Sequence, residues 1–250
     1  MDKFINDLIN VVVQTPKNKF DAIKSTLKHN SMATVYCYFK NSHVMIKAVQ
    51  ANNKHALKWL ISMNVSSYIQ DENGMTILMY SVEKTNILTN DLSYYIKPFA
   101  SDKKCINQED YNGRTALFYA FNNISSLRNI IESGIDVNHK DHEENNILIY
   151  CCKYGKIRHI KFLLKQKIDI NATDNEGRTA GIHLAMNGYY ADSIIKGPLS
   201  LYYITLTENY STFLNIKKAG HKMNFINKQG ESILSLVLTN MYKTTNPKKI

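Results

Sequence analysis

The sequence predicts an all-α solenoid, built from stacked helix-turn-helix units joined by short hairpin loops. Three observations predict it. First, Asp71-Glu72-Asn73-Gly74-Met75-Thr76-Ile77-Leu78 returns as Asp110-Tyr111-Asn112-Gly113-Arg114-Thr115-Ala116-Leu117 and as Asp174-Asn175-Glu176-Gly177-Arg178-Thr179-Ala180. Asp141-His142-Glu143-Glu144-Asn145-Asn146-Ile147-Leu148 is a degenerate copy, so the clear starts at 71, 110, 141 and 174 lie 39, 31 and 33 residues apart. A unit this short cannot bury its apolar face alone and must stack on its neighbours. Second, apolar residues follow each start at helical spacing. Third, a Gly separates or ends the helices within the units.

The unit at 141 shows the pattern most fully. Ile147, Leu148 and Cys151 fall on one face of a first helix, and Gly155 breaks it. Ile157, Ile160, Leu163 and Leu164 line a second helix, with Lys161 and Lys165 outside. Asp169-Ile170-Asn171 then leads to the next start. The unit at 110 repeats this with Leu117 and Ala120, then Leu127, Ile130 and Ile131, then Gly134 and Ile135-Asp136-Val137-Asn138. Gly134 and Gly220 are expected to end helices at positive φ. In an earlier unit Ala56, Leu57, Leu60 and Ile61 form a second helix, with Trp59 as packing.

Counting the period outward places further starts near 5, 38 and 194. Val12, Met45 and Leu201 take the first-helix Leu place there, and Asn227-Lys228-Gln229-Gly230-Glu231-Ser232 is a weaker last copy. The expected organisation is a single repeat domain over 1–243 of about seven units, with a C-terminal tail over 244–250. It is clearest over 71–193 and irregular near 82–109 and 181–200. Polar capping units are expected at 1–37 and about 227–243.

The turn has a physical logic. Gly accepts positive φ without a Cβ clash. Thr is expected to cap the first helix with its hydroxyl, and Asp to bond backbone amides within the turn. Glu144 stands in the Gly place of its turn, and Gly181 in the first-helix Leu place of its unit.

The chain has 250 residues, 44% of them hydrophobic, with 10 Gly and 4 Pro, which argues for a continuous core and against a low-complexity chain. Net charge is +10. Such a balance favours acidic partners, nucleic acid or anionic surfaces, and it equally describes a solvated lysine-rich surface. Cys37, Cys105, Cys151 and Cys152 form no metal-ligand spacing and read as small apolar residues of a reducing compartment. The apolar stretch Leu8-Ile9-Asn10-Val11-Val12-Val13 is too short to cross a bilayer. The expected location is therefore cytoplasmic or nuclear, with no signal peptide, no transmembrane segment and no membrane insertion.

Gly113-Arg114-Thr115-Ala116-Leu117-Phe118-Tyr119-Ala120 resembles the Gly-x-Thr-Pro-Leu-His-x-Ala motif of the ankyrin repeat family. Phe162-Leu163-Leu164 with Ile168-Asp169-Ile170-Asn171 resembles that family's second helix and hairpin entry. The resemblance is most specific over Asp110 to Thr179 and extends in weaker form over most of the chain. Pro is missing from every motif copy, and His from all but His183, which is shifted by one position.

The resemblance implies a non-catalytic protein-protein interaction module. In the family, partners meet the hairpin tips and the inner face of the first helices. Those positions are Glu72, Asn73 and Met75; Tyr111, Asn112 and Arg114; His142, Glu143 and Asn145; Lys153 and Tyr154; and Asn175, Glu176 and Arg178. No catalytic constellation, phosphate loop, metal-ligand set or cofactor motif is found. The expectation is no enzyme, no cofactor, no metal, and a monomer with a protein partner whose identity the sequence does not name. The divergent repeats and the Asn, Lys, Ile and Tyr bias suit a viral or pathogen host-interaction protein. Two alternatives stand beside it. One is an IkappaB-like inhibitor of a transcription factor, with an acidic row at the tips supplying the contact. The other is a polyanion or RNA binder using the basic helical face of Arg158, Lys161 and Lys165.

Overall fold

The computed structural model describes residues 9–16, 19, 25, 37, 39–40, 42–84, 97–100, 105–184, 215, 217–220, 222, 224, 226–232 and 235. The chain divides into two compact units, Met1–Ile135 and Asp136–Ile250. In a repeat array each member buries its face on its neighbours, so no single core spans all members and a division falls at a hairpin.

In Met1–Ile135, a helical stretch over 9–14 buries Ile9, Val12 and Val13. It is followed by α1 (Val44–Gln50), α2 (Lys54–Ser62), α3 (Ile77–Lys84), α4 (Lys97–Ala100), α5 (Ala116–Tyr119), a 3-10 turn (Ala120–Asn122) and α6 (Ile124–Glu132). The helices α1 and α2 pack as a pair, α1 packs on α3, and α3 packs on α5. The apolar residues at helical spacing are those inside: Val44, Met45, Ala48 and Val49 of α1, Ala56, Leu57 and Leu60 of α2, Leu127 and Ile130 of α6. Each fully buried Leu or Ile contributes about 1.5–3 kcal/mol. Trp59 is a packing residue, its ring edge-on to Phe39 at 6.2 Å.

Asparagine caps the second helices α2 and α6. Asn53 accepts the Ala56 amide at 3.0 Å while its Nδ2 donates to the carbonyls of Val13 and Thr15 at 2.8 and 3.0 Å, tying α2 to the preceding helical stretch. Asn123 accepts the amides of Ser125 and Ser126. Gly134 ends α6 at φ +90°, as its place in the sequence predicts.

In Asp136–Ile250, α7 (Ile147–Lys153) packs on α8 (Ile157–Leu163) across Gly155, which has φ +63°. Ile147, Leu148, Cys151, Ile160 and Leu163 are buried together. Burial pushes the Cys151 thiol up to about 12 and raises Cys152 well above its ordinary value, so both are inert apolar residues of the core. A helical stretch over 180–184 begins the next first helix and buries Ile182 beside Gly181. Among the described residues there is no β-strand, only the antiparallel bridges Thr173–Thr179 and Ile226–Ser232 at two hairpin turns. The fold is the all-α helix-turn-helix solenoid that the repeats predict.

Two local expectations are corrected. The Thr hydroxyl is a weak cap at best: Thr76 and Thr179 accept the amides of Met79 and Ile182 at 3.4 Å, and the buried Thr115 hydroxyl has no partner among the described residues. Where Asn replaces Thr, the cap is good, with Asn146 Oδ1 accepting the Ile149 amide at 3.0 Å, because the longer side chain reaches the amide without tilting the turn. Glu144 takes the left-handed geometry of the glycine it replaces, at φ +63°. The irregular stretches expected within 82–109 and 181–200 lie mostly outside the described residues, as do most of the expected caps at 1–37 and 227–243 and the tail at 244–250.

Candidate functional site

Each hairpin tip is closed by one carboxylate oxygen. Asp71 Oδ1 accepts the amides of Asn73 and Met75 at 2.9 and 2.8 Å. Asp110 does the same for Asn112 and Arg114, Asp141 for Glu143 and Asn145, and Asp174 for Glu176 and Arg178, all between 2.8 and 3.0 Å. The Asp amide closes the loop by donating to the carbonyl four residues on, as Asp110 does to Arg114 at 2.9 Å. The fourth residue must then run at positive φ, and does so at Gly74, Gly113, Glu144 and Gly177. Asn227 builds the same turn with its amide oxygen.

The second carboxylate oxygen reaches the first helix nine residues on. Tyr80 donates to Asp71 Oδ2 and Tyr119 to Asp110 Oδ2, both at 2.6 Å, and His183 Nε2 lies 2.8 Å from Asp174 Oδ2. Burial, then the bond to Asp71, pushes the Tyr80 phenol up to about 12, and the same causes raise Tyr119. Burial lowers His183 against the pull of Asp174, and the positive charges of Arg178 and Lys153 lower it further. His183 is therefore a neutral imidazole donating from Nε2, and the contact is a hydrogen bond, not an ion pair. Burial alone would raise Asp174; the Arg178 amide, the His183 ring and the Arg178 guanidinium outweigh it and hold the carboxyl below its usual range. In the copy at 141, Asn145 Nδ2 takes up both Asp141 oxygens at 3.2 and 3.4 Å, and Tyr150, in the same register, lies against Tyr154 with ring centroids 4.9 Å apart. The sequence reading missed these locks. The recurrence of Tyr or His at 80, 119, 150 and 183 was the available signal.

Neighbouring tips within each unit are tied to one another. The Tyr111 amide donates to the Asn73 carbonyl at 3.2 Å, Asn175 to Glu143 at 3.0 Å, and Lys228 to Glu176 at 2.9 Å. A Cβ on Gly74 would stand 2.7 Å from both the Tyr111 ring and its amide nitrogen, so Gly74 lets the next tip close over it. Tyr111 is left 66% exposed on this frame.

The expected contact residues fall into three groups. Glu72, Asn73, Tyr111, Asn112, His142, Glu143, Lys153, Tyr154, Asn175 and Glu176 are exposed. Met75, Arg114 and Arg178 are half-buried. Arg178 is committed to its own turn, with Nε 2.9 Å from Asp174 Oδ2 and Nη1 2.7 Å from Glu176 Oε2. Asn145 is 1% exposed, its amide spent on Asp141 and on Glu143 Oε2 at 3.2 Å. It positions Glu143 and cannot meet a partner itself, because the turn folds it inward beneath the tip.

The tips of Asp136–Ile250 are also less acidic than their sequence suggests. Lys153 Nζ lies 3.5 Å from Glu143, Lys140 Nζ 2.9 Å from Glu144, and Arg178 serves Asp174 and Glu176. Glu143, Glu144, Asp174 and Glu176 each have a cation beside them, and the buried Asp141 is taken up by amides, so no bare acidic row stands here. Among the described residues no three His, Cys, Asp or Glu side chains converge as metal ligands would, and no helix is long and apolar enough to cross a membrane.

A family model of ankyrin repeats matches residues 45–141 and 120–196. An ankyrin repeat protein of Acanthamoeba polyphaga mimivirus is 24% identical over 80% of this chain. The chain spans only 31% of that curated relative. Among solved structures, the ankyrin repeat domain of Bcl-3, a member of the IkappaB family, superposes with a TM-score of 0.67 over 94% of this chain and 97% of its own, at 17% identity. The ankyrin repeat protein EF0377 gives a TM-score of 0.63 over 80% and 93%, at 16% identity.

Proposed function

The chain belongs to the ankyrin repeat family, and on that premise we propose that it is a non-catalytic module that binds a partner protein through its hairpin tips and the inner face of its first helices. Ankyrin repeats are generally interaction modules, which supports the class. The observation that carries the site is the frame beneath it. Exposed side chains such as Tyr111, Asn112 and Glu143 stand on turns closed by an Asp and bonded to a neighbouring turn, and Tyr154 stands at the end of α7 with its ring against Tyr150. Side chains mounted this way lose little further freedom on binding, so their contacts are not spent on ordering the loop. Tyr111 and Tyr154, 66% and 50% exposed, are of a type that carries much of the energy in interfaces.

The mimivirus relative supports a viral host-interaction setting. The IkappaB membership of one structural neighbour suggests a transcription-factor inhibitor, but the paired carboxylates at the tips of Asp136–Ile250 do not favour an acidic contact row there. The test is capture by the tagged full chain from cells of its source or host, read by mass spectrometry. A Tyr111→Ala/Asn112→Ala/Tyr154→Ala variant runs beside it. The expected result is a protein lost from the variant, with affinity reduced at least tenfold. Equal recovery of every protein by both forms, with unchanged circular dichroism, would reject the tips as the site.

A further inference from the structure

The hairpin asparagines of Asp136–Ile250 set successive repeats in register. Asn138 donates to the Lys167 carbonyl at 3.1 Å and accepts the Asp169 amide at 2.6 Å. Asn171 donates to the Gly220 carbonyl at 3.4 Å and accepts the Lys222 amide at 2.8 Å. In this register Lys222 stands where Asp169 stands one repeat earlier, and Lys218 where Lys165 stands. The hairpin thus exchanges an exposed carboxylate for an ammonium as the stack proceeds.

The consequence is a charged edge that runs over two repeats. Arg158, Lys161 and Lys165 share one face of α8 and the turn after it, spread over about 10 Å at 1.5 Å per residue. Lys167 follows, and the bonds of Asn171 bring the Lys217, Lys218 and Lys222 segment alongside. All seven are exposed, and among the described residues none lies at ion-pair distance from a carboxylate. The acids at this edge, Asp136 and Asp169, accept the amides of Asn138 and Asn171 within their own turns. The contrast with the tips is sharp: there Glu143, Glu144, Asp174 and Glu176 each pair with a cation, whereas here none of the seven cations pairs with a described carboxylate.

We propose that this edge, carried by Arg158, Lys161, Lys165, Lys167, Lys217 and Lys218, is a second binding surface, separate from the tips, and that it takes the phosphate backbone of a nucleic-acid duplex without reading sequence. The residue types suit this occupant: lysine binds phosphate as a point charge, with no demand for a fixed geometry. A single strand would need aromatic platforms for its unstacked bases. Phe162 is half-buried, and Tyr154 is engaged with Tyr150. A lipid surface would call for exposed apolar side chains between the cations, and the described stretch from 157 to 222 exposes no large one. A duplex, with one charge per about 1.7 Å of axis, rewards charge alone.

Anisotropy of labelled DNA and RNA duplexes of about twenty base pairs, titrated with the full chain between about 50 and 200 mM salt, tests this. The expected result is binding whose logarithm falls with log salt at a slope of about −4 to −6. A Lys161→Gln/Lys165→Gln/Lys218→Gln variant should bind more than tenfold weaker at the lower salt, with a slope shallower by about 3. Since all three positions are exposed, its circular dichroism should match the wild type. Tyr111→Ala should bind the duplex as the wild type does, which separates this surface from the tips. Failure of the wild type to bind either duplex would overturn the proposal, as would an unchanged slope in the triple variant. So would binding to phosphatidylserine vesicles or to polyglutamate in preference to the duplex.

Discussion

Replacing Tyr119 with Phe removes one hydroxyl from the first helix of its repeat and leaves the ring in place. That hydroxyl donates to Asp110 Oδ2 at 2.6 Å, and Asp110 is 4% exposed. Oδ1 is already engaged with the amides of Asn112 and Arg114, so the variant leaves a buried charge short of a donor. A hydrogen bond to an ionised group is worth about 1.5–3 kcal/mol. Tyr119 is only half-buried, so water recovers part of this. A loss of about 1.5–2 kcal/mol follows, or about 3–8 °C in melting temperature for a chain of this size. Urea unfolding at unchanged m-value measures it. Tyr80→Phe is the internal comparison, and because Asp71 is half-buried its cost should stay below about 1 kcal/mol. The two variants should also differ from the wild type in alkali. Both phenols are raised in the folded state, so their contribution is complete below the ordinary value of 10.0 and is lost as pH rises through the folded value, about 12 for Tyr80. The wild type should therefore lose stability above pH 10 more steeply than either variant. A cost under about 0.5 kcal/mol for Tyr119→Phe, or a larger cost for Tyr80→Phe, would refute the argument.

Three further outcomes are expected. Glu144→Gly should stabilise the protein by about 0.5–1 kcal/mol in urea unfolding, because relief of the left-handed strain outweighs an exposed ion pair to Lys140. Thr115→Val should be neutral or slightly stabilising, since the buried hydroxyl has no partner, whereas Asn146→Ala should cost about 1–2 kcal/mol by removing a working cap. His159 is buried on α8 with Nε2 unbonded, and burial, then Lys156, lowers its pKa from 6.5. A depressed imidazole favours folding above its unfolded value and forfeits that as pH falls below it. His159→Leu should accordingly narrow the difference between unfolding midpoints measured on either side of pH 6.5; an unchanged difference would assign the acid sensitivity to other groups, His183 first.

Much of the fold was legible because it rests on local rules. The period dictates the stacking, and helical spacing picks out Leu117, Ala120, Leu127 and Ile130, all of them buried. Glycine marked the positive φ at 74, 113, 134 and 177 because only glycine adopts it without cost. The bond from Asp to turn amides was equally legible, since both ends lie within four residues. The candidate site was legible as a set of positions but not as a set of exposures. Asn145 follows the same motif arithmetic as Met75 and Arg114, yet it turns inward, because the asparagine amide can satisfy both Asp141 and Glu143. Arg178 is likewise drawn into its own turn.

Local pattern and period were thus enough for the class of fold, the buried face of each helix and the order of the repeats, because apolar burial depends on which side chains recur and hardly on their exact partners. Charge could not be read this way. Glu143, Glu144, Asp174 and Glu176, which look like part of an acidic row in the chain, are matched by Lys153, Lys140 and Arg178 once the turns close, and lysines scattered between 158 and 222 become one edge of unpaired cations once Asn138 and Asn171 align the repeats. Coulomb energy depends on the separation of charges and is screened over about 8–10 Å, so it answers to distance in space, and only the folded chain supplies that distance.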